Sequence, residues 1–151
     1  MLPSLRVEPI VTTPPLAKTR LRQPKILVVD DDPDLQTVLH DLLESEGYAV
    51  NDASTCQEAL HHSQARTFDA VLLDIGLPDG DGFSVLDQLQ QLDPAPPVIM
   101  VTAAAAQEPR LEALARGAFA FLSKPYSHKD LRLLLRQSIG EVPLATDRTS
   151  L

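Results

Sequence analysis

The segment KILVVDDDPD, residues 25–34, gives the clearest indication of the fold of this chain. Its first half is short, apolar and β-branched, which is typical of a strand that is buried on both faces of a sheet. Its second half is acidic, and the pair Asp32–Pro33 combines a preferred helix N-cap with a proline at the first helical position. The stretch therefore predicts a strand that leads directly into a helix, which is the repeating unit of α/β folds.

Four more strand–helix units follow along the chain. The other predicted strands are 48–53, 68–74, 98–102 and 118–122. The predicted helices run from Asp32 to Gly47, from Ser54 or Thr55 to about Ala65, over 83–92, from the Ala-rich segment to Arg116, and from Ser127 to about Ile139. The apolar positions of the first helix are Leu35, Val38, Leu39 and Leu42. This alternation predicts a single doubly wound (βα)5 parallel sheet with helices on both faces, an α/β fold in three α/β/α layers.

Composition limits the function classes. The chain has 151 residues, of which 44% are hydrophobic and 23% charged, so it can build one ordinary globular core. A net charge of −8 argues against nucleic acid as the main partner of the folded part. The single cysteine, Cys56, excludes an internal disulfide and a cysteine-rich metal site. No apolar run approaches the length of a membrane span, so we expect a cytoplasmic protein without membrane contact.

Charge and proline content divide the chain into three parts. Residues 1–24 carry a net charge of +3 and five of the 13 prolines, which predicts a disordered basic N-terminal arm. Residues 25–140 carry a net charge of −10 and contain every predicted strand and helix. Residues 141–151 are predicted to form a C-terminal tail or linker stub.

Polar residues follow four of the five predicted strands. The carboxyl ends of parallel strands meet at one edge of the sheet, where ligands of such folds bind. The residues in question are Asp30, Asp31 and Asp32 at the end of the first strand, Asp74 at the end of the third, Thr102 at the end of the fourth and Lys124 after the fifth. Crowded carboxylates repel one another, and a hard divalent cation such as Mg²⁺ removes that conflict. Thr102 and Lys124 are donors suited to a phosphoryl group, although Asp32 and Thr102, each taken alone, are most simply explained as helix caps.

The blocks at these strand ends resemble the signature motifs of bacterial two-component response-regulator receiver domains. The matching segments are ILVVDDDPD, VLLDIGLPDGDGF, VIMVTA and GAFAFLSKPY, and the resemblance covers residues 25–140. It implies the flavodoxin-like strand order 2-1-3-4-5 and a signalling domain rather than an enzyme. It also implies a histidine kinase or histidine phosphotransfer protein as the phosphoryl donor.

The resemblance further implies a role for each residue at this edge. Asp74 would accept the phosphoryl group, and Lys124 and the Thr102 hydroxyl would bind its oxygens. Asp31 and Asp74 would bind Mg²⁺, or alternatively Mn²⁺, with Asp30 acting partly through water and Gly76 through its backbone carbonyl. A cis Lys124–Pro125 bond would aim the lysine at the site.

Switching is also implied by the resemblance. Thr102 would move toward the phosphoryl group, Phe121 would turn inward, and the small Ala103 would allow this. The Ala-rich helix, the fifth strand and the last helix would form the output or homodimer face, with Leu133, Lys129 and Arg136 as candidate contacts. Gly76 and Ala104 lack polar side chains that could orient water, so slow autodephosphorylation is expected. No output domain is recognised after residue 140.

Two other interpretations remain open at this point. Asp30-Asp31-Asp32 satisfies the Asp-x-Asp motif of haloacid-dehalogenase phosphatases, with Asp30 as nucleophile and Asp32 as acid. That interpretation leaves Asp74 unexplained and places Pro33 at an unusual motif position. The other alternative is a pseudo-receiver, an interaction module that binds its partner without phosphorylation.

Overall fold

The computed structural model describes residues 23–103 and 107–140. Gln23 and Pro24 are thus the only described part of the predicted arm, and the predicted tail lies outside the described residues. Ala104 also lies outside them. Pro24 already belongs to the folded unit, because its carbonyl accepts a 2.9 Å hydrogen bond from the amide of Ala49.

Five parallel strands form one sheet, and five helices connect or follow them. The strands are β1 (Lys25–Val29), β2 (Ala49–Ala53), β3 (Ala70–Asp74), β4 (Val98–Thr102) and β5 (Ala120–Ser123). The helices are α1 (Pro33–Ser45), α2 (Cys56–Ala65), α3 (Gly82–Leu89), α4 (Gln107–Ala115) and α5 (His128–Ile139). The strand order is β2-β1-β3-β4-β5, which confirms the predicted α/β fold and the order implied by the resemblance.

Helix ends follow the predicted capping chemistry. The Asp32 carboxylate accepts hydrogen bonds from the amides of Asp34 and Leu35, at 3.0 and 3.4 Å, and α1 begins at Pro33. Thr55 and Ser127 cap α2 and α5 in the same way. These side chains satisfy amide groups that the first turn of a helix leaves without partners.

The core has two parts, one on each face of the sheet. Alternate strand residues point to opposite faces, so β1 contributes Leu27 and Val29 to one part and Ile26 and Val28 to the other. Helices α2, α3 and α4 pack on the first face, and α1 and α5 on the second. This arrangement confirms the predicted three layers.

Three local predictions need correction. Val38, predicted on the apolar face of α1, is 48% exposed, and Leu43 is buried instead because the helix turns a slightly different face to the sheet. Helix α3 ends at Leu89 rather than at residue 92. The turn before α3 contains a hairpin that was not predicted. Its two strands have two residues each, and Gly76–Leu77 pairs with Gly80–Asp81.

Candidate functional site

The carboxyl edge of the sheet brings together side chains from β1, β3, β4 and β5. Asp30 and Asp74 are buried, although each is a carboxylate, and Thr102 is buried beside them in the fold. Lys124 follows β5, and its backbone amide donates a 2.7 Å hydrogen bond to the carbonyl of Thr102. The sheet register therefore places the threonine and the lysine on neighbouring strand ends.

Lys124 joins the two buried carboxylates. Its Nζ lies 3.0 Å from Asp30 Oδ2 and 3.1 Å from Asp74 Oδ2. The Lys124–Pro125 bond is cis, as the resemblance implied. Burying a carboxylate without a partner costs several kcal/mol, so this shared ammonium is what makes the two buried aspartates tolerable.

The other carboxylate oxygens are oriented by backbone amides. Asp30 Oδ1 accepts from the amide of Asp32 at 2.9 Å, and Asp74 Oδ1 accepts from the amide of Gly76 at 3.1 Å. Gln36 adds support, because its Nε2 donates to the carbonyl oxygen of Asp30 at 2.6 Å. Each carboxylate is thus held by one cation and one amide.

Gly82 allows the next helix to pass directly over Asp74. A Cβ atom at Gly82 would lie 2.4 Å from the Asp74 carbonyl oxygen and 3.0 Å from the Ile75 Cα. The amide of Gly82 donates a 2.7 Å hydrogen bond to the Ile75 carbonyl. Only glycine fits this approach, which fixes the backbone that follows Asp74.

The site has the donor set and the charge for a divalent cation. Ligand oxygens of Asp30, Asp31 and Asp74 all lie within 4.8 Å of one another, and Asp31 is exposed. Three carboxylates and the ammonium of Lys124 carry a formal charge of −2. Oxygen donors of this hardness suit Mg²⁺, which keeps several water ligands and needs few protein carboxylates.

Burial sets the protonation behaviour of the site. Desolvation raises the pKa of Asp74 above its ordinary value, although hydrogen bonds from Lys124 and Gly76 act against it. Partial burial would lower the pKa of Lys124, but hydrogen bonds to Asp30 and Asp74 outweigh it, so that pKa is raised. Lys124 therefore stays an ammonium at neutral pH.

Residues 26–136 match the response regulator receiver domain family. The chain belongs to this family. The receiver is 38% identical over 115 residues to transcriptional regulatory protein ZraR of Escherichia coli (strain K12). This match covers 76% of this chain and 26% of ZraR. The chain therefore spans about a quarter of that relative's length.

Solved receiver structures show the same fold. The receiver domain protein (CheY-like) of Methanospirillum hungatei JF-1 matches with a TM-score of 0.75 and 35% identity, covering 78% of this chain and 94% of that one. A sensor histidine kinase of Pseudomonas aeruginosa PAO1 has a receiver domain that matches with a TM-score of 0.72 and 32% identity, covering 80% and 100%. That structure holds a magnesium ion in its active-site cleft.

The predicted switch and output residues of the receiver lie on its β4–α5 side. Ala103 is exposed, and Phe121 is partly buried against the core on the α2–α4 face. Leu133 and Lys129 are exposed on α5. Arg136 approaches Glu46, at the end of α1, with a 3.5 Å contact, so its guanidinium already has a partner within the chain.

The structure disfavours the phosphatase interpretation. That interpretation needs Asp32 as a catalytic acid, but the Asp32 carboxylate caps α1 and does not belong to the cluster of Asp30, Asp31 and Asp74. Asp74, which that interpretation leaves unexplained, lies in the cluster instead.

Sequence reasoning missed three residues that shape this site. Gln36 supports Asp30, Gly82 admits the close approach over Asp74, and Tyr126 lines a small cavity with Asp30 and Asp74. Only Gly82 had a usable signal, since it opens a helix directly after a turn. The other two act through contacts that sequence spacing does not show.

No helix among residues 23–103 and 107–140 is long and apolar enough to cross a bilayer.

Proposed function

We propose that this receiver accepts a phosphoryl group on Asp74 from the phosphohistidine of a histidine kinase or a histidine phosphotransfer protein. The observation that carries the proposal is the arrangement around Asp74. Its carboxylate ends a buried strand, lies within 4.8 Å of two further aspartates and contacts Lys124 at 3.1 Å. The aspartates suit a divalent cation, and the lysine suits a phosphoryl oxygen.

In the transfer step, a carboxylate oxygen of Asp74 forms a bond to phosphorus as the bond from phosphorus to the donor imidazole nitrogen breaks. The electron pair of the broken bond stays on that nitrogen, and the product is an aspartyl phosphate. Lys124 then moves its hydrogen bonds from the aspartates toward a phosphoryl oxygen, and the Thr102 hydroxyl donates to another. The chain thereby contributes positioning and charge, which dominate catalysis of phosphoryl transfer.

Mg²⁺ would be held by Asp31, Asp74 and the Gly76 carbonyl, with Asp30 contributing partly through water, and Mn²⁺ is the alternative ion. When bound, the cation neutralises negative charge on the transferring group. The hard oxygen donors and the formal charge of −2 support this assignment.

The proposed output is a change in the face formed by α4, β5 and α5. Movement of Thr102 toward the phosphoryl group would draw Phe121 inward and alter the packing of these elements. Phosphorylation would then shift the population toward the packing that binds a partner, an output domain or a second copy of the receiver. Leu133 and Lys129 are the proposed contacts, and Arg136 joins them if its pairing with Glu46 breaks. We place this signalling step in the cytoplasm.

Labelling with acetyl phosphate and Mg²⁺ tests the proposal. The wild type should gain the mass of one phosphoryl group, and Asp74→Asn should gain none. Asp74→Asn removes a desolvated charge and keeps its shape, so it should fold, which a thermal melt checks. Loss of labelling in Asp30→Asn with retention in Asp74→Asn would contradict the proposal and favour the phosphatase interpretation. A wild type that is never labelled would favour the pseudo-receiver.

The lifetime of the phosphoryl group is a second expected property. Gly76 has no side chain and Ala104 only a methyl group, so neither orients an attacking water through a side chain. We expect slow autodephosphorylation of labelled protein, and a half-life of seconds would contradict this.

A further inference from the structure

The turn of the 76–81 hairpin is fastened to the beginning of α2. Asp79 lies in this turn, and its carboxylate accepts hydrogen bonds from the amides of Cys56 at 2.7 Å and Gln57 at 3.1 Å. These are the first two residues of α2, and their amides have no acceptor within the helix. Amide donation lowers the pKa of Asp79, which shows that the contact favours the carboxylate form.

The helix cap itself is a separate residue. The Thr55 hydroxyl accepts a 3.0 Å hydrogen bond from the amide of Glu58. Asp79 therefore does not replace the cap of α2 but adds to it, from a position more than twenty residues away in the sequence. Its contribution is a connection between α2 and the hairpin.

A second contact joins the same two elements. The Cys56 thiol lies 3.7 Å from the carbonyl oxygen of Asp81, to which it can donate. Burial raises the pKa of Cys56 to about 11, so the thiol keeps its proton at neutral pH. A Cβ atom at Gly80 would lie 3.3 Å from the Cys56 sulfur, so the hairpin packs closely against this helix end.

The other side of the hairpin reaches the phosphoacceptor. Gly76 pairs with Asp81 across the hairpin, and the Gly76 amide donates to Asp74 Oδ1 at 3.1 Å. Gly76 is exposed, and a Cβ atom there would meet no atom within 4 Å, so no neighbouring group packs against this side of the residue. Its position therefore depends on two contacts, the pairing with Asp81 across the hairpin and the hydrogen bond to Asp74.

We propose that Asp79 is a positioning residue for the divalent-cation site, because it anchors to α2 the hairpin that carries the Gly76 carbonyl. This inference rests on the proposed function, in which Gly76 supplies one of the ligands of the cation. Residues that do not bind a metal themselves but orient its ligands commonly contribute about 10-fold or more to metal affinity. Asp79 acts on the cation through the backbone and does not touch it.

Isothermal titration calorimetry of the full chain with Mg²⁺ tests the inference. Asp79→Ala should weaken Mg²⁺ binding by about 10-fold, at the lower end of the range for such partners. In the labelling assay it should raise the Mg²⁺ concentration for half-maximal labelling more than it lowers labelling at saturating Mg²⁺. Asp79→Asn keeps one accepting oxygen and should give an intermediate affinity, which also keeps the test available if the alanine variant folds poorly.

Thr55→Ala is the matched control, since it removes a hydrogen bond from the same helix end without touching the hairpin. It should lower the melting temperature and leave the Mg²⁺ dissociation constant unchanged. Wild-type affinity in both Asp79 variants would overturn the inference while leaving the proposed function intact. An equal loss of affinity in Thr55→Ala would also overturn it, since the effect would then come from α2 alone. A wild type that binds no Mg²⁺ would overturn the proposed function itself.

Discussion

Two halves of this receiver expose different kinds of surface. The acidic half, residues 25–89, carries the three clustered aspartates and leaves one large hydrophobic side chain exposed, that of Val38. The apolar-surface half, residues 98–139, leaves four exposed among its described residues: Leu111, Leu114, Phe119 and Leu133. The acidic half thus supplies the carboxylates of the site, and the apolar-surface half exposes more of its large apolar side chains.

The two halves share both parts of the hydrophobic core, and charged side chains also connect them. Lys124 reaches from the end of β5 to Asp30 and Asp74. Arg116, after α4, forms a 3.0 Å ion pair with Asp87 and lies 5.0 Å from the centre of the Phe83 ring. A change of charge at Asp74 acts on the first of these charged connections, which gives the site a physical route to the other half.

The largest expected effect is a loss of stability when the close packing at Gly82, in the acidic half, is disturbed. Gly82→Ala would press a methyl group against the Asp74 carbonyl oxygen, so we expect a loss of about 1–3 kcal/mol in the free energy of unfolding. Gly76→Ala, which meets no atom within 4 Å, should change it by less than about 0.5 kcal/mol. Urea denaturation measures both, and equal stabilities would show that the backbone after Asp74 is not closely packed.

The next largest effect concerns dimerisation through the apolar-surface half. If phosphorylation produces a homodimer through α4, β5 and α5, Leu133→Asp should weaken dimerisation by about 10-fold, because the few residues that dominate an interface each cost more than about 1 kcal/mol when they are replaced. Val38→Asp is the control, because Val38 is similarly exposed, at 48% against 43%, but lies in the acidic half. Sedimentation with Mg²⁺ and beryllofluoride measures both.

Equal weakening by the two substitutions would remove the distinction between the two surfaces. A dimer that Val38→Asp disrupts and Leu133→Asp does not would move the interface to α1.

The smallest effect concerns an ion-pair cluster in the acidic half, away from the site. His40 Nδ1 lies 2.8 Å from Asp52 on β2, and His40 Nε2 lies 3.0 Å from Glu44 on α1. Its pKa is raised above 6.5, chiefly by the hydrogen bond with Asp52, although partial burial opposes this. The folded state therefore holds the proton more tightly than the unfolded state does.

The sign of the pH dependence follows from this difference. The stabilisation by His40 is complete below the unfolded pKa and is lost as the pH rises through the raised folded pKa. We expect His40→Gln to flatten this decline in the free energy of unfolding. Parallel pH profiles for the wild type and His40→Gln would contradict this assignment.

The predictable parts of the structure were those governed by local chemistry. The apolar runs predicted β1, β3 and β4, and the capping candidates Asp32, Ser54 or Thr55, and Ser127 predicted the beginnings of three helices. Polar residues at strand ends predicted the cluster because parallel strands align their carboxyl ends. The strand order came from the family resemblance, since local patterns do not specify which strands are neighbours.

The parts that could not be predicted depend on contacts between distant segments. Asp79 in the turn LPDGDG could be recognised as a turn residue, but its acceptance of amides from α2 depends on how the two elements pack. Gln36 reaches the carbonyls of Asp30 and Ala53 for the same reason. The choice of Leu43 over Val38 on α1 depends on the rotation of the helix against the sheet, which four apolar positions did not fix.

We propose that the carboxyl edge of the sheet binds a divalent cation and that Asp74 then accepts a phosphoryl group. The most direct measurement is a titration of the ¹⁵N-labelled chain with Mg²⁺ and then with beryllofluoride, followed by NMR. We expect Mg²⁺ to shift the amide signals of Asp31 and Gly76, and beryllofluoride then to shift those of Thr102 and Lys124. Signals that stay fixed at these four residues through both additions would contradict it.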